Sequence, residues 1–225
     1  MKAQIYSIIS VEEGLACIEA GADHIGVLVQ QEGWDCPCAA SIDTAKAIFD
    51  AIGDKAVKVL IPATNEEDLI IDFVLKTGPD VVHLSGAYKS NPAFVKKLKA
   101  VDPNIKIMQA IGVIGKESVD EAHKLAPYAD LLLLDTMIPN SHGGIGAIGK
   151  PHDWSLDKEI VDSVSIPVII AGGLGPDNVV DAIRTVRPYG VDSLTKTSIK
   201  DENGKLLCKD IEKVREFCKL AHSEI

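Results

Sequence analysis

The chain has 225 residues, 46% of them hydrophobic, and a formal net charge of −10, enough for one large domain with a full core. The acidic balance argues against nucleic acid or an anionic membrane surface as partner, and no apolar run approaches the roughly 18 residues of a membrane span. Five cysteines, an odd number without framework spacing, fit thiols in a reducing compartment, and Met1-Lys2-Ala3-Gln4 shows no leader pattern, so a cytoplasmic location is expected.

Strand-length apolar runs alternate with amphipathic helical stretches throughout. Strands are expected at 4–9, 24–29, 56–61, 81–85, 106–111, 131–135, 167–171 and 191–195. Helix starts are marked by the capping box Ser10-Val11-Glu12-Glu13, by acids in Asn65-Glu66-Glu67-Asp68 and by Ser155-Leu156-Asp157-Lys158, since acidic groups favour a helix N-terminus. Gly21-Ala22-Asp23, Gly78-Pro79-Asp80 and Tyr128-Ala129-Asp130 each stand just before a strand and look like one turn used three times. At about 28 residues per unit the spacing suits a βα repeat. Strict alternation implies a parallel sheet, and eight units imply a closed barrel. The expected fold is therefore α/β, a single (β/α)8 TIM barrel over residues 1–225; a doubly wound sheet is the runner-up. The longest loops, 30–40 and 136–153, leave strands two and six at the C-terminal face, where barrel enzymes place their sites.

The seventh unit carries the clearest chemical signal. Val168-Ile169-Ile170-Ala171 ends in Gly172-Gly173, and Pro176-Asp177-Asn178 opens the next helix. Without a Cβ the glycines allow close backbone approach, and the free N–H groups of the following helix terminus favour an anion. A phosphate site is expected at Gly172 and Gly173, against the alternative of an unliganded tight turn. Lys196, ending strand eight, is flanked by the hydroxyls of Thr195, Thr197 and Ser198. The group is expected to close the phosphate site, or Lys196 to be a solvated rim lysine. His83, ending strand four, either faces the barrel mouth as a binding group or packs as a structural histidine. His142 and His152 lack ligand spacing, so no metal and no other cofactor is expected. Trp34 is suited to stacking on a planar group or to folding its loop onto the rim.

Four segments in barrel order resemble the phosphoribosylanthranilate isomerase family. They are Ile5-Tyr6-Ser7-Ile8-Ile9-Ser10-Val11-Glu12-Glu13 with Glu19-Ala20-Gly21-Ala22-Asp23-His24-Ile25-Gly26; Val82-His83-Leu84-Ser85-Gly86; Leu132-Leu133-Leu134-Asp135 with Gly143-Gly144-Ile145-Gly146 and Asp153-Trp154; and Ala171-Gly172-Gly173-Leu174 with Pro176-Asp177-Asn178-Val179. The resemblance implies an isomerase related to tryptophan biosynthesis. Its Amadori reaction turns an N-linked aldose phosphate into an aminoketose, using an acid at the ring oxygen and a base at C2. Asp135 matches the family's acid. Tyr6 stands where the family has its cysteine base, and a phenol with pKa near 10 is a poor base at neutral pH. Loop 30–40 also lacks the family's arginine.

The expected function is thus isomerisation of a small phosphorylated sugar or sugar conjugate with Asp135 as general acid/base, and weak turnover of the family's own substrate. Cys36 or Cys38 offers a substitute base from the neighbouring loop, unless both are incidental thiols. The alternatives are a sugar-phosphate epimerase or aldolase, perhaps using Lys196, and a phosphometabolite-binding protein without catalysis. The expected partner is a phosphorylated small molecule, bound by a monomer or homodimer.

Overall fold

Eight parallel strands close on themselves in the computed structural model, which describes residues 1–30, 38–85, 88–137 and 153–224. They are β1 (Lys2–Ile5), β2 (His24–Gln30), β3 (Val57–Ala63), β4 (Val81–Leu84), β5 (Lys106–Val113), β6 (Leu131–Thr136), β7 (Val168–Ile170) and β8 (Gly190–Ser193). Each pairs with its neighbours in sequence, and β1 pairs with both β8 and β2. The last contact, Gln4 beside His24 and Ile5 beside Ile25, closes the barrel. Among the described residues eight helices cover it: α1 (Val11–Glu19), α2 (Ile42–Ile52), α3 (Glu67–Thr77), α4 (Pro92–Val101), α5 (Glu117–Leu125), α6 (Trp154–Ser163), α7 (Val179–Val186) and α8 (Ile211–Ser223). Among the described residues no helix is long and apolar enough to cross a membrane.

The strand period of two divides the core into two layers. Ile5, Ile25, Val27, Ile111 and Leu132 pack outward against buried helix residues such as Phe49, Phe94 and Phe217. Val59 and Ile61, Met108, Leu131 and Leu133, and Ile169 and Ala171 fill the barrel interior. Continuing the alternation toward the strand ends gives the inward series Gln4–Tyr6, Val81–His83 and Leu131–Leu133–Asp135. The polar residues thus reach the mouth by the same geometry that buries the apolar ones below.

The repeated turn has one physical job at all three places. Asp23, which precedes β2, accepts the N–H of Ala3 in β1 at 2.9 Å. Asp80, before β4, accepts that of Lys58 in β3 at 2.8 Å, and Asp130, before β6, that of Ile107 in β5 at 2.8 Å. Each carboxylate satisfies a backbone donor at the start of the preceding strand. At the other end, Ser10 caps α1 by accepting the Glu13 N–H, and Glu13 reaches back to the Ile9 N–H at 2.9 Å. The α6 N-cap is Asp153, two residues earlier than the serine signal indicated.

Most strand boundaries differ from expectation by a residue or two, and two of the differences shape the site. The first strand ends at Ile5 rather than at 9, because after the Tyr6 N–H meets the Ser193 carbonyl the chain turns toward the Ser10 cap. The eighth ends at Ser193, and Thr195–Thr197 is a 3-10 turn. An unexpected antiparallel hairpin follows, Ser198–Lys200 with Leu206–Lys209.

Candidate active site

A cavity of about 230 Å³ opens at the C-terminal ends of the strands, where loops in this fold place chemistry. Its floor and sides are apolar: Leu28, Ile61, Ala110 and Leu133. Tyr6, His83, Asp135 and Asp192 bring polar groups from β1, β4, β6 and β8, and Gly172, Gly173 and Thr195 form the side toward β7 and β8. Cys38, partly exposed, lines the cavity from the loop after β2. Cys36, Trp34, His142, His152 and the glycines at 143–146 lie outside the described residues.

The glycine side is built for close approach. Gly172 and Gly173 have φ of 89° and 67°, values that side chains rarely adopt. The Asn178 side chain locks this turn, donating to the Gly173 carbonyl at 3.1 Å and accepting from the Gly175 N–H at 2.9 Å. Ser193 Oγ donates to the Leu174 carbonyl at 2.7 Å, tying the β8 end to the β7 turn. Thr195 lines the cavity beside this frame.

Its three neighbours do not. Lys196 Nζ pairs with Asp177 at 2.5 Å and is absent from the cavity wall. Thr197 is fully buried, its hydroxyl 3.3 Å from the Leu194 carbonyl; Ser198 Oγ donates to the same carbonyl at 2.6 Å. Lys209 Nζ donates to Ser198 Oγ at 2.9 Å, and burial pushes its pKa down to about 8. The hydroxyls at 197 and 198 therefore fold the loop instead of facing the cavity. The 3-10 turn is the cause: it swings alternate residues out of the strand period.

Tyr6 is equally committed. Its ring stacks on His83 with centroids 5.3 Å apart and planes at 19°, and its hydroxyl hydrogen-bonds His83 Nδ1. Burial, reinforced by the charges of Asp192 and Asp135, holds the phenol well above its ordinary pKa, so it keeps its proton at neutral pH. Burial lowers the pKa of His83 to about 3, leaving the ring neutral. With the phenol donating to Nδ1, the proton sits on Nε2, which is buried without a protein partner among the described residues. The ring needs space on β2 as well: a Cβ at Gly26 would lie 1.8 Å from Tyr6 Cδ1.

Asp135 lies at the mouth, one carboxyl oxygen accepting the Thr136 N–H at 2.7 Å. Asp192 had not been singled out. It is 5% exposed, lines the same cavity, and accepts from Gln4 Nε2 at 3.3 Å. Gln4 Oε1 in turn accepts from His24 Nδ1 at 3.0 Å. Burial first, then the charge of Asp135, raises the Asp192 carboxyl well above the usual range. The available signal was an acid at an inward position of Gly190-Val191-Asp192-Ser193, with Gln4 at an inward position of the adjoining strand.

The family model for N-(5'phosphoribosyl)anthranilate (PRA) isomerase matches residues 43–220. A curated N-(5'-phosphoribosyl)anthranilate isomerase from Methanocella arvoryzae is 34% identical over 96% of this chain and 95% of its own length. One from Aquifex aeolicus is 33% identical over the whole of both. Among solved structures, phosphoribosyl anthranilate isomerase from Thermotoga maritima superposes with a TM-score of 0.82 at 25% identity, covering 99% of each chain.

Proposed function

The chain belongs to the N-(5'-phosphoribosyl)anthranilate isomerase family, and from that premise we propose that it performs an Amadori rearrangement on an N-linked aldose 5-phosphate, N-(5'-phosphoribosyl)anthranilate being the first candidate. The supporting observation is that Asp135, on β6, and the Gly172–Gly173 turn, on the adjacent β7, open on one cavity. The phosphate is held by the glycine turn and Thr195, through backbone donors that side chains cannot crowd. Asp135 then gives a proton to the sugar ring oxygen, the C1–O bond breaks, and the glycosylamine opens to an iminium. Loss of the C2 proton gives an enolamine, which tautomerises to the aminoketose.

An aldolase or epimerase working through Lys196 finds no support, because that ammonium is paired with Asp177 outside the cavity wall. The test is direct. Purified protein is mixed with freshly made N-(5'-phosphoribosyl)anthranilate, and the product is identified by NMR. Turnover is expected, and Asp135→Asn is expected to lower kcat about 10²–10⁴-fold, the usual worth of a general acid. Wild-type protein that binds the phosphorylated substrate without converting it would sink the proposal in favour of a binding protein.

A further inference from the structure

We propose that Asp192 accepts the substrate's C2 proton, so that Asp135 and Asp192 together form the acid–base pair of the cavity. The inference rests on the isomerisation proposed above and names the group that performs its second half. Three observations support it.

Asp192 and Asp135 line one cavity, on β8 and β6, with only β7 and its glycine turn between those strands. A sugar phosphate anchored at that turn lies between the two carboxyls. Second, Asp192 is held in place without being used up. Gln4 Nε2 engages Oδ1 at 3.3 Å, and Gln4 is itself oriented by His24 Nδ1 at 3.0 Å. Burial lowers the His24 pKa to about 4, so at neutral pH the ring stays uncharged and donates through Nδ1. Third, the position that would otherwise supply a base is closed, since the Tyr6 hydroxyl is bound to His83.

The chemistry follows from placing two carboxyls in one poorly solvated space. Like charges there resist joint ionisation, so single protonation of the pair is favoured; the proton belongs to the pair, and the reacting form carries it on Asp135. Burial and the charge of Asp135 raise Asp192 above an ordinary carboxylate: the shared proton favours Asp192 in the free protein, and once ionised Asp192 is the stronger base of the two. Asp135 delivers its proton to the ring oxygen and becomes a carboxylate. Asp192 then takes the C2 proton; the C–H pair becomes the C1=C2 bond, and the iminium nitrogen takes up the displaced π electrons. No oxidant or further reactant is needed.

Asp192→Asn keeps an oxygen for Gln4 and removes the base. The titratable and charged groups facing this carboxyl are Asp135 on β6, Tyr6 on β1 and Lys209 on the hairpin, with His24 beyond Gln4, so the pH profile is measured in both proteins. The expected result is a kcat lower by about 10²–10⁴-fold and the loss of one limb of the pH–rate profile. Binding of the reduced product analogue 1-(o-carboxyphenylamino)-1-deoxyribulose 5-phosphate, a ligand in one related crystal structure, should change little. Formate should restore part of the activity of Asp192→Gly, as no structural role would allow.

Wild-type-like turnover by Asp192→Asn would overturn the inference while leaving the isomerase reading intact. So would a loss of analogue binding as large as the loss of kcat, which marks a structural role. Abolition of turnover by Cys38→Ser, with Asp192→Asn still active, would assign the proton to the thiol. Wild-type protein that binds the analogue but turns nothing over defeats the isomerase reading first, and this inference with it.

Discussion

Gly26→Ala tests whether the Tyr6 ring owns the space at the barrel mouth. The three atoms nearest an added Cβ all belong to that ring, Cδ1 at 1.8 Å, Cε1 at 2.1 Å and Cγ at 3.1 Å. Such overlaps are far too deep for a few tenths of an ångström of adjustment, and the stacked His83 ring closes the retreat. The ring must leave its place or β2 must shift, an overpacking cost of about 1–3 kcal/mol. Losing the Tyr6–His83 hydrogen bond adds about 1 kcal/mol. In a Tyr6→Cys background the obstacle is gone, and the same change should cost nothing, or gain about 0.5 kcal/mol from removing a glycine from a strand. Urea denaturation of the four proteins of this cycle should therefore give a coupling of about 2–4 kcal/mol, well above the roughly 0.5 kcal/mol scatter of independent sites. Additive effects would show that the ring has room to move, and the claim that Tyr6 is locked in place would fall.

Gly173→Val adds a branched side chain at a φ of 67° and crowds the backbone donors; KM for a phosphorylated substrate should rise about 10–100-fold, the worth of one charge-assisted hydrogen bond. Equal affinity in the variant would move the phosphate elsewhere. Acid should unfold the protein through its buried histidines. Their folded pKa values, about 4 for His24 and about 3 for His83, lie below the unfolded 6.5, so stability present above pH 6.5 is lost as pH falls toward 4, by on the order of 2–3 kcal/mol for each ring. His24→Gln should flatten that slope in denaturant titrations, and an unchanged slope would show that His24 is solvated. Lys209, with a folded pKa of about 8 against 10.5, acts in the same direction at higher pH: its ammonium is disfavoured by burial, so folding stability should climb from pH 8 toward 10.5. Lys209→Met should remove that climb, and its persistence would assign the effect to another group.

The barrel was legible because its signals are periodic. Eight apolar runs in strict alternation with helices survive errors of a few residues at their ends, and the Asp23, Asp80 and Asp130 turns repeat at matching points of the units. The glycine turn was legible because only a few backbone shapes require Gly172-Gly173. Side-chain commitments were less so. Lys196 reads as a phosphate ligand until Asp177, nineteen residues earlier, is found to hold it. Thr197 and Ser198 read as cavity hydroxyls until the 3-10 turn swings them into the loop. Asp192 was overlooked because one acid in a strand acquires meaning only beside Gln4 and Asp135, residues 188 and 57 positions away in the chain. Pairings across that distance leave no local pattern.

The carboxylate clips at the base of the barrel link strands in twos, β1 with β2, β3 with β4, and β5 with β6. The chain is in that respect a series of two-strand modules, and among the described residues the connections between modules carry no such clip. A backbone cut near Gly53-Asp54, between α2 and β3, leaves the clips of the first and second modules each within a single fragment. Fragments 1–53 and 54–225 should then reassemble when mixed, and a cut at Gly21-Ala22, which parts Ala3 from Asp23, should reassemble less well. The aspartates that start strands would thereby mark where this barrel can be divided and rejoined.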